Sequence, residues 1–265
     1  MSVEVVHWNP YRYREQTRFA RFGPRVNNFG DLLGPVIVEK MLKNAGISPR
    51  GAKSPHRLLA VGSIMHLANE GDLVWGTGMN GKKLTTDLPF RQLDVRAVRG
   101  PLTRQVLQEK GINAPAIYGD PGLLIGQLWS REELSAKQAQ RNFSVVPNFH
   151  DFPHVPSTEQ TVNPTGKLWD VIGKIAASDL VVGSSLHGIV IAESLGIPAR
   201  LVLSDTEPLF KYRDYYEGTG RTNFAPAHSI EEALQLGGEQ LPDWDPTPLL
   251  DAFPYELWAT NTRAR

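Results

Sequence analysis

Short, uninterrupted apolar runs that end in glycine and hand over to helical patterns constrain this chain more than any other feature. RLLAVG (57–62), DLVWG (72–76), VRAVRG (95–100) and DLVVG (179–183) are of this kind. VEVVHW (3–8), FSVVPN (143–148), PARLVL (198–203) and residues 115–117 read as further strands. A strand with one wet face alternates apolar and polar residues, whereas a run that is apolar throughout needs cover on both faces. The cover is supplied by helix-like segments at 31–46, 101–111, 118–129, 167–178 and 186–196. PLTRQVLQEKG (101–111) starts with Pro and stops at Gly, the asymmetry expected of helix ends. The alternation predicts an α/β protein with parallel sheets. Residues 131–142 are polar and carry no strand-like run, so they read as a linker. On either side lie an N-terminal Rossmann-like lobe (1–130) and a C-terminal Rossmann-like lobe with its tail (143–265), expected to face a central cleft. A short helix, IEEALQLGG, and a Pro-rich aromatic tail, PDWDPTPLLDAFPYELW, close the chain.

Composition removes several classes of function. None of the 265 residues is Cys, which excludes a disulfide scaffold, a thiolate metal site and a cysteine nucleophile. With 28 basic against 28 acidic side chains, the chain is not built to neutralise nucleic-acid phosphates. No apolar run nears the roughly 20 residues that span a bilayer. The start, MSVEVVHWNP, lacks the basic, apolar and small-residue regions of a signal peptide, so a cytoplasmic protein is expected. HExxH, EF-hand, Walker A and GxGxxG patterns are all missing, and no metal or cofactor is expected.

In open α/β sheets ligands sit beyond the carboxyl ends of the strands, which directs attention to the post-strand loops. In SDLVVGSSLHGIVIAESLGIP (178–198) a strand delivers Gly183, Ser184 and Ser185 to a turn, and a helix starts with Leu186 and His187. Free N–H groups at a helix start attract an anion, small residues admit it closely, and His187 stands beside it as a proton donor. The competing reading is structural: Ser184 or Ser185 caps the helix and His187 packs on the adjacent strand. In NNFGD (27–31), Asn28, Gly30 and Asp31 either line the cleft or form a capping turn. VGS (61–63), with Ser63, and WGTGM (75–79) bring backbone near a ligand. Arg99, in VRGPLT (98–103), suits a carboxylate or phosphate, or else a surface salt bridge. Asn148, His150 and Asp151, in VVPNFHDF (145–152), orient a substrate hydroxyl or simply make a turn. FKYRDYY (210–216) offers Lys211 and Arg213 beside aromatic rings, or is a solvated amphipathic helix.

Taken in order, NNFGD, VGS, VWGTGM, VRGPLT, YGDPGLL, VVPNFHDF, SSLHG and FKYRDYY resemble the polysaccharide pyruvyl transferase family over roughly residues 25–215. The SSLHG form is most similar to the bacterial exopolysaccharide ketal-pyruvate transferases of xanthan or succinoglycan assembly. The resemblance implies a fold similar to GT-B glycosyltransferases and phosphoenolpyruvate as donor substrate. It further implies that a pyruvate ketal is built across two sugar hydroxyls of an exopolysaccharide repeat unit, with release of phosphate. Carried over residue by residue, it puts Arg99, His187 and Lys211 in a basic donor pocket, with Leu186 beside His187. Gly183, Ser184 and Ser185 complete the expected donor set, and His187, His150 and Asp31 the expected catalytic set. Asn28, Ser63 and Asp151 are expected at the acceptor, with His150, Asp151 and Asp31 open as acceptors of hydroxyl protons. Relatives often carry Arg where this chain has Ser185, which leaves Arg104 and Arg213 as replacements.

The implied acceptor is a polyprenyl-diphosphate-linked oligosaccharide. Arg12, Arg14, Arg18, Arg21 and Arg25, interleaved with Tyr11, Tyr13, Phe19 and Phe22, either meet anionic headgroups at the inner leaflet or form a solvated loop. The tail around Trp244, Phe253 and Trp258 either touches lipid or docks back on the protein. Two other readings compete. A nucleotide-sugar glycosyltransferase of GT-B type would use Glu193, in ESLGIP (193–198), on ribose hydroxyls. A non-catalytic carbohydrate-binding or assembly subunit would leave Arg99, His187 and Lys211 without a task.

Overall fold

A computed structural model of the chain describes residues 3–12, 23–50, 56–82, 84 and 88–258. Its strands form two all-parallel sheets. The first runs β1 (Glu4–Val6), β2 (Arg57–Leu59), β3 (Leu73–Trp75), β4 (Asp94–Ala97) in spatial order. Val5 pairs with Leu58, Leu58 with Leu73, and Val74 with Val95. The second runs β5 (Ser144–Val145), β6 (Val181–Gly183), β7 (Ala199–Leu201), with Val145 on Val182 and Gly183 on Leu201. The chain is thus α/β with parallel sheets, as the apolar runs demand. The strands are shorter than those runs because the chain leaves each sheet early. Residues 115–117 do not make the strand expected of them. The one bridge nearby is that of Tyr118 with Val98, and Pro115 has no N–H with which to extend it.

The helices are α1 (Leu33–Asn44), α2 (Pro101–Glu109), α3 (Ile125–Leu128), α4 (Arg131–Ser135), α5 (Leu168–Ala176), α6 (Leu186–Ser194), α7 (Phe210–Gly218), α8 (Ile230–Leu236) and α9 (Thr247–Asp251). A 3-10 turn, Phe29–Leu32, leads into α1, and another, Pro121–Leu124, into α3. The polar segment read as a linker opens with α4, where Ser130 Oγ accepts the Glu133 N–H at 3.1 Å, and α4 lies against α5. Helix α6 buries Leu186, Gly188, Ile189, Val190, Ile191, Ala192 and Glu193, nearly its whole circumference. A helix apolar all round must be central. It packs on β6, β7, α5 and the Pro121–Leu124 turn.

One hydrophobic core runs through both sheets, joining Leu33, Ile37, Leu58 and Trp75 to Ile172, Val181, Ile189 and Tyr215. The tail docks back onto it. Trp75 Nε1 donates to Leu249 O at 2.8 Å, Phe253 sits edge-on to Trp75 at 4.8 Å, and Trp258 stacks on Phe253. Trp244 Nε1 donates to Tyr118 O at 3.1 Å. Of the arginine-rich stretch, Arg14, Arg18 and Arg21, with Tyr13, Phe19 and Phe22, lie outside the described residues. Arg25 stands over the Tyr11 ring at 4.4 Å, and its Nη1 donates to Asn9 O. Among the described residues no helix is long and apolar enough to cross a membrane.

Helix α7 is a buried strut, not the solvated amphipathic helix of the competing reading. Lys211, Tyr212, Asp214, Tyr215 and Tyr216 are all buried. Arg99, just past β4, is fully enclosed, and its Nε donates to Asp214 Oδ2 at 3.0 Å. Its other nitrogens reach Ser63 Oγ at 2.7 Å and Met79 O at 2.6 Å. Asp214 also accepts from the Thr103 N–H at 2.8 Å and the Thr103 hydroxyl at 2.7 Å. A Cβ on Gly100 would lie 1.7 Å from Asp214 O, and one on Gly218 would lie 2.3 Å from Arg99 O. Backbone therefore meets backbone across this joint. Removing one partner of a buried pair strands the other charge, at a cost of about 3–5 kcal/mol. Asp214→Ala is expected to lose that much in urea denaturation, whereas Asp243→Ala, at an exposed position of the tail, should lose under about 0.5 kcal/mol. Equal losses would mean that the pair is not what holds α7.

Candidate active site

A cavity of about 510 Å³ opens beyond the carboxyl ends of the strands. Trp8, Asn28, Gly30 and Asp31 reach it after β1, Ser63, Ile64 and His66 after β2, and Met79 to Lys82 after β3. From the other sheet come Asn148, Phe149 and His150 after β5, Ser185, Leu186 and His187 after β6, and Glu207 and Lys211 after β7. Most of the sequence-derived residues therefore converge. Arg99, Ser184, Gly183 and Asp151 do not line the cavity. Arg99 stands behind Ser63, holding its hydroxyl and not a ligand. The buried ion pair replaces both the donor contact and the surface salt bridge expected of it.

The β6–α6 turn has a local cause. Gly183 has φ +144° and a Cβ there would meet Val146 O at 2.3 Å, so only glycine can pass. Ser184 turns inward, its Oγ accepting from the Asn148 N–H at 3.1 Å and from Asn148 Nδ2 at 3.2 Å. Ser185 caps α6, accepting the Gly188 N–H at 3.2 Å. The capping reading of Ser185 thus holds while Leu186 and His187 still face the cavity. The imidazole has room only because residue 30 is glycine: a Cβ on Gly30 would lie 2.2 Å from His187 Nδ1.

Next to His187 stands Asp31, whose carboxylate accepts from Asn28 Nδ2 at 2.6 Å. Burial pushes the Asp31 carboxyl above its ordinary range, against the opposing pull of Asn28, His187 and Lys211. Across the cavity, Asn148 Oδ1 accepts the backbone N–H groups of His150 and Asp151 at 2.8 and 2.9 Å. Its Nδ2 donates to Asp151 Oδ2 at 2.7 Å, and Thr206 Oγ1 donates to Asp151 Oδ1 at 2.7 Å. Asp151 is partly buried, which acts upward, yet bonds from Ser184, Thr206, Ser204 and Asn148 hold its carboxyl below the usual range. It braces the turn that presents His150.

The cavity also holds a cation that the sequence reading overlooked. Arg104 donates to Ala114 O, Arg213 pairs with Glu217, and neither lines the cavity. Lys82 does. Its ammonium bonds Glu207, which also accepts from Lys211 Nζ at 2.8 Å and from Asn80 Nδ2 at 3.3 Å. Burial pulls the Lys211 ammonium below its ordinary range, with Glu207 opposing. Burial of Glu207 acts upward, but Lys211 and Lys82 outweigh it and keep the group a carboxylate. The signals were there: GMNGKK (78–83) follows β3 at the ligand end of the sheet, and Glu207 precedes Lys211 by four residues. Trp8 and Phe149, edge to face at 6.2 Å, line the same cavity.

The raised Asp31 carboxyl carries a sign that can be measured. Its folded form keeps the proton to higher pH than the unfolded chain does, so its contribution is intact in acid and lost as pH rises through the folded value. Asp31→Asn keeps an oxygen for Asn28 and removes the titration. The variant is expected to melt above the parent at pH 8 and with it at pH 4. A lower melting temperature at pH 8 would contradict a carboxylate ionised at the expense of stability.

The profile of the polysaccharide pyruvyl transferase family matches residues 28–206, a span that holds the first-strand loop, both glycine-bearing exits and the β6–α6 turn. A succinoglycan biosynthesis protein, ExoV, from Rhizobium meliloti (strain 1021) is 29% identical over 198 residues, which cover 68% of this chain and 60% of that protein. The chain thus matches less than two thirds of that relative's length. No solved structure matches the chain. With all of the cavity lining except Trp8, Glu207 and Lys211 inside the matched span, the chain belongs to the polysaccharide pyruvyl transferase family.

Proposed function

We propose that this chain transfers a pyruvyl group from phosphoenolpyruvate to two hydroxyls of a sugar in an exopolysaccharide repeat unit, closing a pyruvate ketal and releasing phosphate. The observation that carries the reading is one cavity holding two ammonium groups, Lys82 and Lys211, together with two groups able to exchange protons, His187 and Asp31. A small donor with a phosphate and a carboxylate needs that pairing of charge with a proton source. His187 gives a proton to the terminal carbon of the enol, the double-bond electrons form the new C–H bond, and positive character develops at C2. One sugar hydroxyl adds there and loses its proton; the C–O bond to phosphate breaks; the second hydroxyl adds and closes the ring. Of the two hydroxyl protons, one restores the donor and the other leaves with phosphate. Asp31 and His150 are the groups in reach of those protons. Asn28 and Ser63 edge the acceptor side, where Trp8 and Phe149 offer apolar faces to a sugar ring.

The acceptor in this reading is a saccharide on a polyprenyl-diphosphate carrier, presented at the cytoplasmic face of the membrane. The glycosyltransferase alternative loses its anchor. Glu193 is buried, held by Arg221 in a two-pronged pair at 2.6 and 2.7 Å and by the Tyr215 hydroxyl, and so cannot grip ribose.

Ligand-induced stabilisation separates the two. Phosphoenolpyruvate at a hundredfold excess over its dissociation constant should stabilise the protein by about 2.7 kcal/mol, and UDP or GDP far less. A shift with a nucleotide alone would overturn the proposal. In a phosphate-release assay with lipid-linked oligosaccharides, His187→Ala is expected to lose about 10²-fold or more in kcat while keeping its circular dichroism. Lys211→Met, which leaves Glu207 paired with Lys82, should raise the donor KM by about 30-fold, the equivalent of roughly 2 kcal/mol. An unchanged KM would remove Lys211 from donor binding.

A further inference from the structure

Two buried polar atoms face each other with no other partner among the described residues: Asp120 Oδ2 and His187 Nε2, 3.7 Å apart. Asp120 is fully enclosed in YGDPG, a motif to which the sequence reading gave no task. Its Oδ1 caps the Pro121–Leu124 turn, accepting the Gly122 N–H at 2.9 Å, and its Oδ2 is left to point at the imidazole. A carboxylate oxygen buried without a bond is costly and is seldom retained where capping alone is needed, because Ser or Asn would cap as well. The ring is confined on its other side. Its Nδ1 lies 2.2 Å from where a Cβ on residue 30 would be, and Gly30 and His187 both line the cavity.

We propose that Asp120 is the positioning residue for His187: its Oδ2 takes the Nε2–H, fixing the tautomer and turning Nδ1 toward the substrate. At 3.7 Å the separation exceeds hydrogen-bond range, and catalytic contacts of this kind often tighten only in the substrate complex. The arrangement follows the logic by which a buried carboxylate orients a catalytic imidazole and stabilises its protonated form. The role rests on the proposed reaction. His187 transfers the Nδ1 proton to the enol carbon, the N–H electrons stay on Nδ1, and the neutral ring keeps its Nε2–H on Asp120. A sugar hydroxyl then returns a proton to Nδ1. The other charged groups around the imidazole are Asp31, from the loop after β1, and Lys211 beyond it on α7. Asp31 is already bonded to Asn28, which leaves Asp120 to hold Nε2.

Asp120→Asn is the informative variant, since its amide oxygen still caps Gly122 while its NH₂ replaces an acceptor by a donor. Long-range ¹H–¹⁵N spectra of histidine-labelled full-length protein, with His187→Ala to assign the signal, report the tautomer without any substrate. The parent is expected to carry the neutral-ring proton on Nε2 and Asp120→Asn on Nδ1. With phosphoenolpyruvate and acceptor, the variant should lose about 10²-fold or more in kcat with donor KM within threefold and circular dichroism unchanged. A purely structural cap would leave both tautomer and kcat alone. A parent spectrum with the proton on Nδ1 overturns the proposal even if the variant fails to fold, as does the same tautomer in both proteins. A tautomer switch with no turnover of phosphoenolpyruvate by the parent would sink the proposed reaction and leave the Asp120–His187 coupling standing.

Discussion

The buried Arg99–Asp214 pair is the joint on which the rest of the molecule depends. Arg99 leaves the last strand of the four-stranded sheet, and Asp214 sits on α7, which follows the last strand of the three-stranded sheet. Two charges with 0% exposure on either side are tolerable only when every nitrogen and oxygen is occupied. Ser63, Met79 and Thr103 supply the remaining bonds. Ser63 and Met79 belong to loops that line the cavity and Thr103 to the first turn of α2, so the joint and the cavity wall are one network. The tight approach at Gly100 and Gly218 leaves α7 little freedom to rock.

The same helix carries the cavity's electrostatics. One turn before Asp214, Lys211 faces the space between the sheets, and Tyr212 anchors the helix by donating to Ser184 O at 2.7 Å. On the far side Tyr215 reaches Glu193, so α7 is tied to β4, to the β6–α6 turn and to α6 at once. Glu207 keeps Lys82 and Lys211 together despite their mutual repulsion. An anionic ligand that displaced the carboxylate would find two cations already in place.

Against that positive wall stand His187, packed on the backbone of Gly30, and Asp31, whose burial raises its carboxyl. A low-dielectric pocket strengthens the charges it encloses and makes each unmet polar atom expensive. Two of the unmet atoms, on Asp120 and His187, lie where the proposed reaction needs a directed imidazole. Stability is given up locally where function gains, a trade that rigid surroundings permit.

Much of this was legible in the residues themselves. Apolar runs at 57–62, 72–76 and 179–183 specify parallel strands because such runs cannot face water, and Gly183 announces a backbone that no other residue could follow. The loops at strand ends, and with them His187, Asp31, Asn28, Ser63, His150 and Lys211, could be named because parallel sheets put their ligand sites at one end. Local sequence has no term for partners 115 residues apart. It could not tell a guanidinium that binds a ligand from one that closes a joint, so Arg99 looked like a donor contact until Asp214 stood beside it. Lys82, after β3, and Glu207, four residues before Lys211, carried a signal in the sequence, whereas the Asp120 oxygen carried none, because it matters only through the imidazole it faces. Pattern along the chain determined which ends of which strands would converge. Burial and the direction of each side chain, set only when the two sheets share one core, decided which charges meet a substrate and which meet each other.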